Sequence, residues 1–178
     1  ADEYIPYWTD LWASARMLAK YILREKSKLP REVLEIGCGL GLAGLAALSR
    51  GCSVTFSDID ETACEFAAIN ARLNGFRDFR TLPLDLRSPP KDLRFPLILG
   101  TDLMYEERLV EPLSHFLKQT LTEDGIALIA DPDRLASKSF KHRAYEAGLK
   151  VETRFMRAGE PGGERTKGRL YRLTHSAS

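Results

Sequence analysis

Residues 33–44, reading VLEIGCGLGLAG, constrain this chain more than any other stretch. A short apolar run carrying one carboxylate, Glu35, passes at once into glycines at 37, 39 and 41 and then into helix-forming residues. That order predicts a buried parallel strand whose tip turns sharply into a helix. Glycine carries no Cβ to hold a ligand away from the backbone N–H groups, so the turn reads as a cradle for part of a nucleotide-like molecule.

From residue 33 onward, strand-like and helix-like segments alternate. The candidate strands are 33–36, 53–57, 80–84, 97–101, 126–130, 150–156 and 169–174. Helical patterns fill 42–49, 61–73, 107–121 and 137–147, with Gly51, Asn74-Gly75, a turn at Glu123-Asp124-Gly125 and Gly148 as stop signals and Asp60 as an N-cap. Ala63, Phe66, Ala67 and Leu73 mark the expected buried face of the second of these. Ahead of the sheet, Trp8, Leu11, Trp12, Ala15, Leu18, Ala19 and Ile22 recur at helical spacing, with Thr9 as the expected cap and Trp12 packing in the core. The last two strands are separated by a Gly-, Arg- and Glu-rich stretch too short for a crossover helix, which implies an antiparallel hairpin with a mobile loop. The expected fold is α/β: a doubly wound, mostly parallel seven-stranded sheet with a C-terminal hairpin, in one domain over 1–178 whose residues 1–30 form a helical segment on the core.

Composition removes several function classes. A formal charge of +1 over 178 residues gives no global pull toward nucleic acid or anionic membrane. Two small basic groups, Lys138/Lys141/His142/Arg143 and Arg165/Lys167/Arg169, lack interleaved aromatics and read as solvated faces, so nucleic acid is not an expected partner. Cys38, Cys52 and Cys64 match no zinc spacing and read as reduced, buried thiols; no metal site is expected. The three histidines, His115, His142 and His175, fall away from the strand ends. No apolar run approaches the ~20 residues of a membrane helix, and the first residues lack the order of a secretion signal, so a cytoplasmic monomer without membrane contact is expected.

In an open α/β sheet, ligands sit beyond the carboxyl ends of the strands, where the connection direction reverses. Each of the first four strand ends carries an acid: Glu35, Asp58, Asp85 and Asp102. Carboxylates converging on one crevice repel each other, and a cationic ligand bearing hydroxyls and amines would relieve that repulsion. Residues 39–44 also satisfy GxGxxG, with Asp58 about 20 residues on, where a dinucleotide-binding protein keeps its ribose acid. Glu35 argues against that reading, because its charge would sit close to a pyrophosphate.

Residues 35–41, EIGCGLG, resemble the E/DxGxGxG motif of class I, seven-strand S-adenosyl-L-methionine (SAM)-dependent methyltransferases, and Asp58, Leu84-Asp85 and residues 99–105 match further motifs in order and spacing. The chain is similar, more narrowly, to the lysine-methyltransferase branch that includes the electron-transfer-flavoprotein β-subunit enzymes and bacterial relatives. Residues 6–12 (PYWTDLW) resemble that branch's tryptophan segment, although Trp12-Ala13-Ser14 stands where the branch often has Trp-Pro-Ser/Gly. Asp102 to Tyr105 matches its D-x-x-Y motif, and residues 130–134 (ADPDR) its Asp-Pro-x-Arg turn. The resemblance implies a Rossmann-like methyltransferase fold with SAM as cofactor. Gly37, Gly39 and Gly41 would admit its methionine portion, Glu35 would attract the ammonium, Asp58 would bind the ribose and Asp85 the adenine amine, while Trp8 would border the cofactor. Asp102 and Tyr105 would orient the acceptor amine, with Asp131 and Arg134 lining the acceptor cleft or bracing the turn. The implied acceptor is a nitrogen on a protein, a lysine side chain; a small-molecule amine is the rival. An NAD(P)-dependent oxidoreductase and a non-catalytic cofactor-binding protein remain as readings from other classes.

Overall fold

A strand covered on both faces buries nearly every residue, and the central strands of this protein do so. The computed structural model describes residues 11–158 and 165–176. Its elements run α1 (Ala13–Arg24), β1 (Glu32–Ile36), α2 (Leu42–Ser49), β2 (Ser53–Ser57), α3 (Glu61–Leu73), β3 (Phe79–Thr81), β4 (Phe95–Thr101), α4 (Val110–Thr120), β5 (Leu121–Asp131), α5 (Phe140–Glu146), β6 (Leu149–Ala158) and β7 (Thr166–His175). The described strands form one sheet in the order β3-β2-β1-β4-β5-β7-β6. Strands β1 to β5 pair in parallel, and β7 runs antiparallel between β5 and β6. This is the expected seven-stranded architecture.

Alternation along each strand sorts the core into two layers. Val33, Val54, Phe56, Leu97, Leu99 and Leu128 pack with α1, α2 and α3 on one face. Leu34, Ile36, Ile98, Ala127 and Ile129 pack with α4 and α5 on the other. The chain winds β1-β2-β3 in one direction and β4-β5 in the other, so the connections reverse between β1 and β4. The crevice expected of such a sheet lies beyond that pair.

Several expected boundaries and faces shift for identifiable reasons. Strand β3 is shorter than the expected 80–84. Past Thr81, the edge keeps single bonds from Leu82 N to Phe56 O (2.9 Å) and Leu84 N to Asp58 O (2.8 Å), with Pro83 between them unable to donate. The turn expected at 123–125 is a bulge inside a longer β5, where the partner register jumps between Phe95 and Leu97. Gly125 fits there because a Cβ would lie 2.9 Å from Thr122 O. Residues Glu107–Leu109 and Ala136–Ser139 form 3-10 turns that lead into α4 and α5, so both helices begin later than expected. The buried face of α3 is made of Ala63, Cys64, Ala67, Ala68 and Ala71, and Phe66 and Leu73 are exposed. Small side chains let this helix lie close against the sheet, and the larger ones turn outward.

Helix α1 starts with Trp12 at its N-cap, so Leu11 and Trp12 precede the helix and are partly exposed; Trp12 is not the core residue that its spacing suggests. The expected cap Thr9 and the candidate Trp8 lie outside the described residues. The hairpin ladder continues to Ala158↔Thr166, so much of the expected loop is strand, and the rest, 159–164, lies outside the described residues. All three cysteines are buried and unbridged. Among the described residues, no helix is long and apolar enough to cross a membrane.

Phe116, 1% exposed, holds α4 to its face of the sheet. Phe116→Ala is expected to lower unfolding free energy by about 3–5 kcal/mol in urea titration. Leu73→Ala, at an exposed position, should change it by less than about 0.5 kcal/mol.

Candidate functional site

Glu35 shares the β1 face of Val33, and α2 covers that face. Its carboxyl is therefore carried under the start of the helix, where Oε2 accepts from Gly44 N at 2.8 Å and the carboxyl also takes a backbone hydrogen bond from Ala43. Burial pushes its pKa up to about 8, with the two backbone donors opposing and the charge of Asp58 adding to the rise. The glycine turn above it is left-handed at Gly37 (φ 55°), Gly39 (φ 49°) and Gly41 (φ 80°). At Gly37 and Gly41 the place of a Cβ is already taken by the protein, by Leu103 in the first case and by Ala67 and Phe56 in the second. These two glycines are required by packing and backbone conformation, which adds to the ligand-access reason read from the sequence.

Asp58, just past β2, holds the same turn from its other side. Its Oδ2 accepts from Gly39 N and its Oδ1 from Asp60 N, both at 3.1 Å. Burial raises its pKa against those donors. Each oxygen keeps acceptor capacity, which is what a pair of ribose hydroxyls needs. Cys38, in the turn, shares a thiol hydrogen bond with Cys64 of α3; that bond and then burial hold its own pKa high. Asp85 stands four residues past the end of the shortened β3 and is closed on Arg87, with Nη2 at 2.6 Å from Oδ2 and Nε at 2.9 Å from Oδ1. The Arg87 hydrogen bonds lower the pKa of Asp85.

Asp102 follows β4 in a left-handed conformation, φ 57°, that few non-glycine residues adopt. Its N–H donates to Ala130 O at 3.0 Å, tying it to the tip of β5. Arg134 places Nε at 2.7 Å and Nη2 at 2.6 Å from Oδ1, and Ser14 Oγ donates to Oδ2 at 2.9 Å. The Arg134 guanidinium also lies over the Trp12 ring, 5.7 Å from its centroid. Arg134 is itself set by Asp131, whose Oδ1 accepts its N–H at 2.8 Å. Asp131 is fully buried, its Oδ2 has no hydrogen-bond partner among the described residues, and burial raises its pKa. Tyr105, three residues past Asp102, is exposed.

The four strand-end acids are thus not four bare charges. Glu35 is buried against α2, Asp85 and Asp102 each hold a guanidinium, and Asp58 accepts loop N–H groups. The glycine turn and Asp102 are nevertheless adjacent, because Leu103, next to Asp102, packs on both Gly37 and Gly100. A separate groove of about 850 Å³ runs along α4, lined by Leu86, Arg87, Glu107, Val110 and Phe116 among others, and includes none of the glycine-turn residues.

Comparison with known proteins settles what this arrangement belongs to. Residues 8–147 match the family model described as lysine methyltransferase. The chain belongs to the lysine methyltransferase family. The cofactor implied by this family is SAM, and the dinucleotide reading of 39–44 falls with it. The chain is 33% identical over 132 residues to the electron transfer flavoprotein beta subunit lysine methyltransferase of Danio rerio, covering 72% of this chain and 51% of that protein. It is 28% identical over 151 residues to the histidine protein methyltransferase 1 homolog of Dictyostelium discoideum, covering 81% and 49%. It spans about half the length of these curated relatives. Among solved structures, the ribosomal protein L11 methylase of Lactobacillus delbrueckii subsp. bulgaricus superposes with a TM-score of 0.72 at 25% identity, covering 90% of this chain and 77% of that one. A glycopeptide N-methyltransferase complexed with SAM shares the fold, with a TM-score of 0.71 at 14% identity and coverage of 97% and 99%.

Two residues at the site escaped the sequence reading of its chemistry. Ser14 appeared there only as a departure from a tryptophan motif. It lies one turn before Met17 and Leu18 on the buried face of α1, and a hydroxyl on such a face needs a partner. Arg134 could be placed in the cleft or in the turn, but its pairing with Asp102 joins residues on different strands, which no local pattern displays.

The raised pKa of Glu35 has a consequence for stability. An acid whose folded pKa lies above its usual 4.5 favours the folded state fully below that value and loses the contribution as pH climbs toward about 8. Unfolding free energy should therefore decline between about pH 5 and 8, and Glu35→Gln should flatten that decline, measured by denaturant titration across the range.

Proposed function

We propose that this protein transfers a methyl group from SAM to a nitrogen on a protein, a lysine side chain. The observation that carries the reading is the meeting of the glycine turn and Asp102 through Leu103 at the β1/β4 reversal. Family membership and the lysine-directed relatives support it. Asp58 and the Gly37–Gly39–Gly41 turn would hold the ribose and methionine portions. Asp85, released from Arg87, would meet the adenine amine, and Glu35 would act by fixing the turn from below.

Bound SAM supplies an electrophilic methyl group on a positively charged sulfur. Reaction forms the N–C bond as the C–S bond breaks, and the positive charge moves from sulfur to nitrogen. A lysine amine, with an ordinary pKa near 10.4, attacks only when neutral, so the site must orient the amine and favour the charge it gains. Asp102 suits both tasks, because a fixed carboxylate accepts an N–H hydrogen bond and stabilises a cation forming beside it. Tyr105, exposed three residues past Asp102, would border the incoming chain. Most of the acceleration then comes from alignment and preorganised charge.

Purified protein incubated with methyl-labelled SAM and a cell lysate should place label in the protein fraction, recovered as methyllysine after acid hydrolysis. Label confined to small metabolites, or recovered on histidine or arginine, overturns the lysine assignment. Asp102→Asn, which keeps a side chain tolerant of left-handed backbone, should cut turnover by about 100-fold while SAM affinity changes by less than about threefold. Asp58→Ala should instead weaken SAM binding by about 10- to 100-fold in calorimetry.

A further inference from the structure

We infer that Arg134 and Ser14 are positioning residues that hold the Asp102 carboxylate so that one oxygen, Oδ2, meets a primary alkylammonium or amine. The inference rests on Asp102 being the acceptor-side acid of the proposed reaction, and it assigns the geometry by which that acid works.

A carboxylate has about four acceptor positions, two on each oxygen. Oδ1 accepts from Arg134 Nε at 2.7 Å and has Nη2 at ion-pair distance, 2.6 Å, so the guanidinium lies against that oxygen. Oδ2 takes Ser14 Oγ alone among the described residues and keeps one position. The acid is thus clamped on one oxygen and half open on the other.

The clamp is fixed on every side. Arg134 is held at its backbone by Asp131 Oδ1 and at its guanidinium by the Trp12 ring. Ser14 is fully buried in the first turn of α1. Asp102 itself is pinned by its N–H bond to Ala130 O and by its left-handed backbone. Three elements, α1, β4 and the β5 tip, therefore converge on one carboxylate that is only 9% exposed. A charge-assisted hydrogen bond from an ammonium to Oδ2 would complete its acceptor set. A neutral alcohol of the same length would gain far less there, so the site should separate the two by charge.

The test needs no acceptor protein. n-Butylammonium, a lysine side-chain probe, is titrated into protein saturated with S-adenosylhomocysteine while the ¹³C methyl signals of Leu103 are followed, with n-butanol as the isosteric control. A saturable shift with butylammonium, at least about tenfold tighter than with butanol, is expected. Arg134→Gln and Ser14→Ala should each weaken butylammonium about tenfold, Arg134→Lys should recover part of the loss, and S-adenosylhomocysteine affinity should stay within about twofold throughout. Equal response to amine and alcohol, or unchanged amine binding in Ser14→Ala and Arg134→Lys, overturns the inference. These two milder variants keep the test decisive if Arg134→Gln fails to fold. Amine discrimination in a protein that labels nothing in the lysate would sink the methyltransferase reading and leave this one standing.

Discussion

The Glu35 carboxyl lies beneath the first turn of α2 with Gly44 N donating to it, and that bond ties the tip of β1 to the start of the helix. A Cβ on Gly44 would stand 2.5 Å from both Glu35 Oε2 and Phe56 Cε1, so strand and helix are as close as backbone permits. Because the helix start is fixed to the strand, the intervening residues must turn within a few peptide units. They do so through three left-handed glycines. Asp58 then closes the turn from β2 by accepting from Gly39 N. Two acids thus shape a loop by serving as hydrogen-bond acceptors for its N–H groups.

The electrostatics of the crevice follow from where each acid ended up. Alternation puts Glu35 on the α2 face, where desolvation favours its neutral form. Asp102 falls past the end of β4, within reach of the next strand's turn, and there it gains a guanidinium. The sheet therefore carries an acid whose neutral form burial favours beneath the glycine turn and an ion-paired one past β4. A cationic methyl donor and a nitrogen that becomes cationic fit that order without placing like charges together.

Much of this was legible in the residues. The glycine turn, the mostly parallel seven-stranded sheet implied by alternating segments and the terminal hairpin all rest on short-range patterns, and the structure reproduces them. Boundaries were lost where one residue plays two parts: Gly125 reads as a turn yet sits in a bulge within β5, and Glu107 begins a 3-10 turn instead of an α-helix. Phe66 and Leu73 suggested an apolar face for α3, but a stripe of alanines buries more closely and won. Within the site, the acids at the strand tips were visible as a set, whereas their partners were not. Ser14 and Asp102 are 88 positions apart and Arg134 and Asp102 are 32 apart, so only the folded sheet brings them together.

Strand β7, the last described in the chain, occupies an interior lane of the sheet, with β5 on one side and β6 on the other. During synthesis, β6 leaves the ribosome before the strand that must separate it from β5. Until then, β5 presents an unpaired edge, and β6 has no neighbour with which to bond. The sheet can therefore close only once β7 has emerged, and a translational stall just short of residue 166 would leave the β5 edge without its partner.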